Sequence, residues 1–124
     1  MLLAVGVSAY GQALDYDKLA PHPRLLLKAG DIDAMKKFRQ ESANARKVHD
    51  KIIADAETFL SQKPVVFQKD ESNKRILLVS REALKRIFYL SYAYKMTDDK
   101  RYAARAEQEM LAVSAFDTWN PSHF

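Results

Sequence analysis

The sequence predicts a mainly α-helical fold, and three observations support this prediction. Four segments place apolar residues at helical spacing, most clearly residues 43–60 and the two segments that flank the polar turn Thr97-Asp98-Asp99. Residues suited to helix N-caps, such as Asp31 and Ser80, stand at the start of the predicted helices. The clearest irregular stretch, residues 61–75, contains one brief strand candidate.

Length and composition set limits on the fold and on the chemistry. The chain has 124 residues, enough for one small domain with a core, and 29% of them are charged, as in an ordinary soluble protein. The net charge of +4 suits an anionic partner such as nucleic acid, a membrane surface or an acidic polysaccharide, or simply a solvated Lys/Arg surface. Cysteine is absent, which excludes disulfides, thiolate metal sites and a cysteine nucleophile within this chain.

The N-terminal residues predict export. Residues 2–9 are small and apolar, and Ala9-Tyr10-Gly11 places small residues at the −3 and −1 positions of a cleavage site. We therefore expect residues 1–11 to be a signal peptide and the protein to be periplasmic or secreted. A bilayer span needs about 20 apolar residues, so no membrane span is expected here. No Lys or Arg precedes the apolar run, as a signal peptide would usually have, and a start codon placed too far downstream would explain this. The alternative to a signal peptide is a buried N-terminal helical turn.

An extended segment is predicted for residues 12–30, followed by two helices. Pro21-His22-Pro23 prevents a helix from passing through this segment, and we interpret His22 as a turn or packing residue. Asp31 is a plausible N-cap for the first helix. The second helix, residues 43–60, has His49 among charged residues, where we expect it to be solvated. The apolar positions of these helices are Ile32, Met35 and Phe38, then Val48, Ile52, Ala56 and Phe59.

The last third of the chain predicts two antiparallel helices. Pro64 ends the preceding helix, and Val65-Val66-Phe67 is the strand candidate. The third helix is expected from Ser80 to Met96, and the short turn that follows makes the fourth helix its antiparallel neighbour. The face of the third helix at helical spacing consists of Leu84, Ile87, Phe88, Ser91 and Tyr94. That of the fourth helix consists of Tyr102, Ala103, Ala106, Met110 and Val113.

The loop at residues 116–124 contains the candidate binding residues. The three histidines match no metal-ligand spacing, and no HExxH, GxSxG or glycine-rich phosphate loop is present, so no metal or cofactor is expected. The Trp119 ring can stack on a sugar or an apolar ligand, while Asn120 and His123 supply directional hydrogen bonds. A loop that merely caps the helix and packs on a neighbouring hairpin is the alternative.

Several of these segments resemble a known family. The order HPRLLL at residues 22–27, a helix started by Asp, YAYKMTDDKRY at residues 92–102 and WNPSHF at residues 119–124 resembles the N-terminal region of heparinase II/III-like polysaccharide lyases. The resemblance covers residues 21–124. It implies that residues 31–124 form the first helical hairpins of an incomplete (α/α) toroid that is truncated at its C-terminus.

The same resemblance implies a function. Such lyases are exported bacterial enzymes that cut uronic-acid polysaccharides, heparin-like or alginate-like, by β-elimination. Their catalytic residues lie on later toroid elements, so none is assigned to this chain, which alone is expected to be inactive. We expect Trp119, Asn120 and His123 to line the cleft and to bind an anionic polysaccharide or oligosaccharide.

Two other functions fit the helical pattern. One is a non-catalytic α-helical repeat or binding module, which would use its aromatic residues to hold a partner. The other is a toroidal glycoside hydrolase, which would take paired carboxylates from later helices. A nucleic-acid partner is not expected, because the positive charge is scattered and no recognition motif accompanies it.

Overall fold

The computed structural model describes residues 15–19, 21, 25–28, 30–69 and 75–119. Four α-helices lie in this part of the chain: α1 (Asp31–Glu41), α2 (Ala43–Leu60), α3 (Leu77–Thr97) and α4 (Lys100–Ser114). The residues described contain no strand, so the mainly α fold is confirmed, while the toroid stays a prediction. The predicted signal peptide at residues 1–11, together with His22, Asn120 and His123, lies outside the described residues.

Two compact units divide the chain, residues 1–31 and residues 32–124. The described part of the first unit contains a short 3₁₀ turn, Tyr16–Lys18, within the segment predicted to be extended. Near its end the backbone N–H of Lys28 donates to the Asp31 carboxylate at 2.7 Å. Asp31 was predicted to be the N-cap of α1, but it is the first residue of the helix. Its side chain accepts a bond from the segment before the helix.

The caps explain where α2 and α4 begin. The bounds of α2 are those predicted, and Ser42 caps it by accepting a bond from the Ala45 N–H at 3.3 Å. Asp99 caps α4 in the same way, by accepting a bond from the Arg101 N–H at 2.9 Å. Asp98 ends α3 in the left-handed conformation, with φ of 60°, which Asp tolerates better than most residues.

Two local predictions between α2 and α4 are wrong. Helix α3 begins at Leu77, and Ser80 lies inside it, with its hydroxyl donating to the Leu77 carbonyl instead of capping the helix. The stretch Val65-Val66-Phe67 forms no strand, because the described residues supply no strand to pair with it. The backbone N–H of Val65 donates to the Glu109 side chain instead.

The core lies between α2, α3 and α4, which contact one another. Its cluster of buried residues consists of Ala56, Phe59, Leu90, Ala93, Tyr102 and Ala106. Ala56, Ala93 and Ala106 provide one small residue on each of the three helices, which allows the helix backbones to approach closely. Helix α1 contributes no buried residue to the core.

The buried face of α3 is not the face that its apolar spacing suggested. Leu84 and Phe88 are 57% and 49% exposed, whereas Ala83, Leu90 and Ala93 are buried. Apolar side chains surround much of α3, so the apolar pattern alone does not select one face. The alanines decide the orientation, because they permit a closer helix contact than Leu84 and Phe88 would.

Candidate functional site

An aromatic cluster forms where the chain leaves α4. Phe116 is held against the helix end by its N–H, which donates to the Val113 carbonyl at 3.3 Å. Its ring lies 5.5 Å from the Phe67 ring in an edge-to-face arrangement and 5.4 Å from the Trp119 ring at a tilt of 35°. These centroid distances are typical of favourable aromatic pairs. Phe67, Phe116 and Trp119 thus form one surface from two separate segments, which we call the aromatic cluster.

Trp119 is the one predicted binding residue that the structure describes, since Asn120 and His123 lie outside the described residues. Its side chain is 48% exposed, so one part of the indole packs on Phe116 while another part faces solvent. Such a half-exposed, laterally supported indole can accept a flat apolar surface or the face of a sugar ring.

A network of buried charges positions the Phe67 segment. Glu109 on α4 is fully buried and accepts hydrogen bonds from the Val65 N–H at 3.0 Å, from Arg105 at 2.8 Å and from Arg86 at 3.1 Å. Because Val65 lies two residues before Phe67, this network fixes the chain close to the aromatic cluster. We call Arg86, Arg105 and Glu109 the ion network.

The two arginines of the ion network also donate to backbone carbonyls at the end of α2 and in the segment just after it. Arg105 donates to the Phe59 and Gln62 carbonyls, both at 3.0 Å, and Arg86 donates to the Lys63 carbonyl at 2.9 Å. The last carbonyls of a helix have no partner inside it, so outside donors stabilise the helix end. The segment after α2 is therefore anchored to α3 and α4 by side chains rather than by strand pairing.

A second set of hydrogen-bonded side chains, Arg39, His49 and Tyr92, links three helices. The Nη1 atom of Arg39 on α1 lies 2.9 Å from Nε2 of His49 on α2, and His49 Nδ1 lies 3.0 Å from the Tyr92 hydroxyl on α3. His49 is only 6% exposed, so the prediction that it is a solvated surface residue is wrong. Its neighbours along α2 are charged, but its own side chain points between the helices.

The chemistry of the three groups fixes where the protons lie. A guanidinium only donates, so His49 Nε2 accepts from Arg39 and carries no proton. Nδ1–H then donates to the Tyr92 oxygen, which leaves the hydroxyl hydrogen of Tyr92 available to another acceptor. Burial, and then the charge of Arg39, lower the pKa of His49, which agrees with a neutral ring. Burial raises the pKa of Tyr92, so its hydroxyl stays protonated.

A cavity of about 510 Å³ lies beside this linked group. Arg39 and Tyr92 line it together with apolar side chains of α1 and α2, such as Met35, Phe38 and Val48. Arg39 also lines a smaller cavity of about 340 Å³, together with Arg46 and Asp50. The larger volume falls within the range of about 300–1,000 Å³ that is usual for small-molecule sites.

No group of His, Asp and Glu side chains in the described part of the chain is arranged to hold a metal ion. Of the helices described, none combines the length and the apolar character that crossing a membrane requires.

No protein-family profile matches the sequence, and no curated protein matches it. The heparinase-like resemblance therefore stays an inference from the residues that carry it.

Sequence reasoning missed two parts of the site. Arg39, His49 and Tyr92 were not grouped, because they lie on three helices and no local spacing connects them. Arg105 and Glu109 are four residues apart on one helix, a spacing that usually marks an exposed ion pair. The only signal for the second group was the irregular stretch that begins at Ser61, whose backbone carbonyls at Gln62 and Lys63 lie outside a helix.

Proposed function

We propose that this chain forms the first helical hairpins of an (α/α) toroid in an exported, heparinase II/III-like polysaccharide lyase, and that its aromatic cluster binds the anionic polysaccharide. The observation that carries the binding part is the half-exposed indole of Trp119, supported by Phe116. The lyase part rests on the resemblance of the HPRLLL, YAYKMTDDKRY and WNPSHF segments.

The arrangement of the aromatic cluster favours sugar binding for a physical reason. A sugar ring presents C–H groups on its faces, which pack well on an indole, and its hydroxyl groups stay in water at the edges. Phe116 holds the indole from one side, and Phe67 supports Phe116 in turn. A ring already held in place loses less conformational entropy on binding, so more of the contact energy appears as affinity.

The helical hairpin and an exposed apolar face support the toroid part. Asp98 and Asp99 separate α3 from α4, so the two helices form an αα-hairpin. Leu77, Leu84 and Phe88 lie on one side of α3 and are each about half exposed or more. An apolar face of this kind is what a hairpin in a toroid or a helical repeat presents to the next hairpin.

Intrinsic fluorescence offers a direct test of binding, because Trp119 is the only tryptophan in the sequence. We expect heparin-derived or alginate-derived oligosaccharides to change the emission of the 124-residue chain, and neutral dextran oligosaccharides to bind more weakly. Calorimetry then compares two variants. Trp119→Ala should lose most of the affinity, while Phe88→Ala should keep it, since Phe88 is equally exposed (49%) but lies outside the cluster.

The reaction needs its own test. A parent protein that contains the remaining toroid should release unsaturated uronate, whose double bond absorbs ultraviolet light, from a uronic-acid polysaccharide. The 124-residue chain alone should not. Tight oligosaccharide binding without any unsaturated product from the parent would favour the helical binding module. Equal affinity of wild type and Trp119→Ala would reject the aromatic cluster as the binding surface.

A further inference from the structure

Helix α1 is held weakly to the other helices. None of its residues is buried, and the structure describes all of them. Lys36 of α1 pairs with Asp98, at the end of α3, across 3.9 Å, but both side chains are exposed, and exposed ion pairs contribute little to stability. By contrast, the bond from Arg39 reaches a buried side chain, the ring of His49. The position of α1 therefore depends strongly on this one bond.

The junction between α1 and α2 has the form of a hinge. Ser42 separates the two helices in an extended conformation, with φ of −115° and ψ of 120°. A single residue of this kind can absorb the change in φ and ψ when one helix moves relative to the next. Arg46 of α2 donates to the Gln40 carbonyl at 3.1 Å, but this bond lies beside the junction, where a rotation of α1 moves the atoms least.

The two bonds of His49 respond differently to protonation of the ring. Arg39 only donates, so its bond requires an Nε2 atom without a proton, which only the neutral ring has. In the protonated ring, Nε2 carries a hydrogen that meets the donor and the positive charge of Arg39. The bond from Nδ1–H to the Tyr92 oxygen exists in both forms of the ring. Protonation therefore breaks the link from His49 to α1 and keeps the link to α3.

The groups around His49 couple its charge to the position of α1. Arg39 faces the ring from α1, the Tyr92 hydroxyl faces it from α3, and Asp50 is the nearby carboxylate on α2. The charged side chains of α4 that contact α2 meet it near its other end, around Glu57. Burial and then the charge of Arg39 lower the pKa of His49, whereas Asp50 raises it. Moving Arg39 away with α1 removes one of the two opposing effects, so protonation and release of α1 favour each other.

We propose that protonation of His49 releases α1 from the other three helices, so that His49 acts as a pH-dependent latch. The release uncovers more of the apolar side chains of α2 that lie beside Met35 and Phe38 of α1, namely Val48 and Ile52. Helices α2, α3 and α4 stay packed, because their core cluster includes no residue of α1. The latch does not depend on the polysaccharide proposal.

The distance between helices provides the direct test, because the absence of cysteine allows spin labels to be attached at chosen positions of the full chain. Ala34→Cys on α1 and Ser91→Cys on α3 form the test pair, since both residues are exposed. Ser91→Cys and Glu107→Cys, on α3 and α4, form the control pair. Between about pH 7.5 and about pH 5, a range that contains the ordinary pKa of histidine, we expect the test pair to shift to longer and broader distances. The control pair should keep its distance distribution.

Three variants separate the latch from other effects of pH. His49→Gln offers an acceptor to Arg39 and a donor to Tyr92 at both pH values, so the test-pair distance should not depend on pH. Arg39→Gln should behave in the same way, because a side-chain amide can donate to the neutral ring and accept from the protonated one. Lys37→Gln is the matched control, since Lys37 is 75% exposed and pairs with Glu41 of its own helix. Its pH response should equal that of the wild type.

Two results would overturn the proposal. One is a test-pair distance that stays unchanged at about pH 5, whether or not a nitrogen-detected spectrum shows a protonated His49 ring. With a protonated ring, this result would mean that Arg39 moves its side chain alone and that α1 stays in place. The other is a pH response that persists in His49→Gln, which would assign the response to a different group, such as His22 or His123.

Discussion

Replacing Glu109 by Ala tests the importance of the ion network for the fold. Glu109 is fully buried and accepts three hydrogen bonds, two of them from guanidinium groups. The alanine variant would leave the charges of Arg86 and Arg105 without this acceptor and the Val65 N–H unpaired. Breaking a buried ion pair by removing one partner costs about 3–5 kcal/mol. A domain of this size has a total stability of about 5–15 kcal/mol, so the loss is a large share of it.

The assay is urea denaturation followed by circular dichroism, with Glu107→Ala as the matched control. Glu107 lies on the same helix but is exposed, so its replacement should change the free energy of unfolding by about 0.5 kcal/mol or less. We expect Glu109→Ala to lower it by about 3 kcal/mol or more, or to prevent folding altogether. A Glu109→Ala variant as stable as Glu107→Ala would refute the reasoning.

A double-mutant cycle then separates the contributions within the ion network. Arg86→Met removes one of the two guanidinium partners of Glu109, while the bonds of Arg105 to the Phe59 and Gln62 carbonyls remain. If Arg86 and Glu109 interact directly, the two substitutions together should cost less than the sum of the single ones, by about 0.5–3 kcal/mol. Strict additivity would mean that the 3.1 Å contact between them does not stabilise the fold.

The remaining predictions concern pH. Burial and the charge of Arg39 lower the pKa of His49, so the unfolded chain binds more protons than the folded one below about pH 6.5. The free energy of unfolding should therefore fall when the pH is lowered from about 7. It should fall less in His49→Gln. Burial and the hydrogen bond to Glu57 raise the pKa of Tyr102 to about 12, so the folded form keeps a proton that the unfolded form loses near pH 10. The free energy of unfolding should thus decrease from about pH 10 to about 12, and it should decrease less in Tyr102→Phe. Denaturation measured at several pH values checks both statements, and the same pH dependence of the unfolding free energy in wild type and variant would contradict them.

Local signals made the helices predictable from the sequence. Ser42 and Asp99 cap α2 and α4 with their own side chains, and such caps depend only on residues close in the chain. The start of α3 was misplaced at Ser80 because its true first residues, from Leu77, follow a residue without any side-chain cap bond. Helix ends are thus predictable where a side chain marks them and are uncertain where tertiary contacts alone decide.

The orientation of α3 could not be predicted in the same way. Its apolar residues lie on several sides, so a face containing Leu84 and Phe88 and a face containing Leu90 and Ala93 were both compatible with burial. The choice depends on how closely α2 and α4 can approach, which is a property of the packed structure. The aromatic cluster could not be predicted either, because Phe67, which supports Trp119 through Phe116, comes from a distant segment.

The buried polar groups have a common physical origin that the sequence pattern does not display. Buried Arg105 donates to the Phe59 and Gln62 carbonyls, and Glu109 supplies its counter-charge inside the fold. The Glu109 carboxylate also accepts from the Val65 N–H, so a buried side chain of α4 fixes the segment that contributes Phe67 to the aromatic cluster. The geometry of the proposed sugar-binding surface therefore depends on charges that never contact the sugar. A variant of Glu109 that still folds should bind oligosaccharides more weakly, because Phe67 would no longer be held in the aromatic cluster, although Trp119 is unchanged.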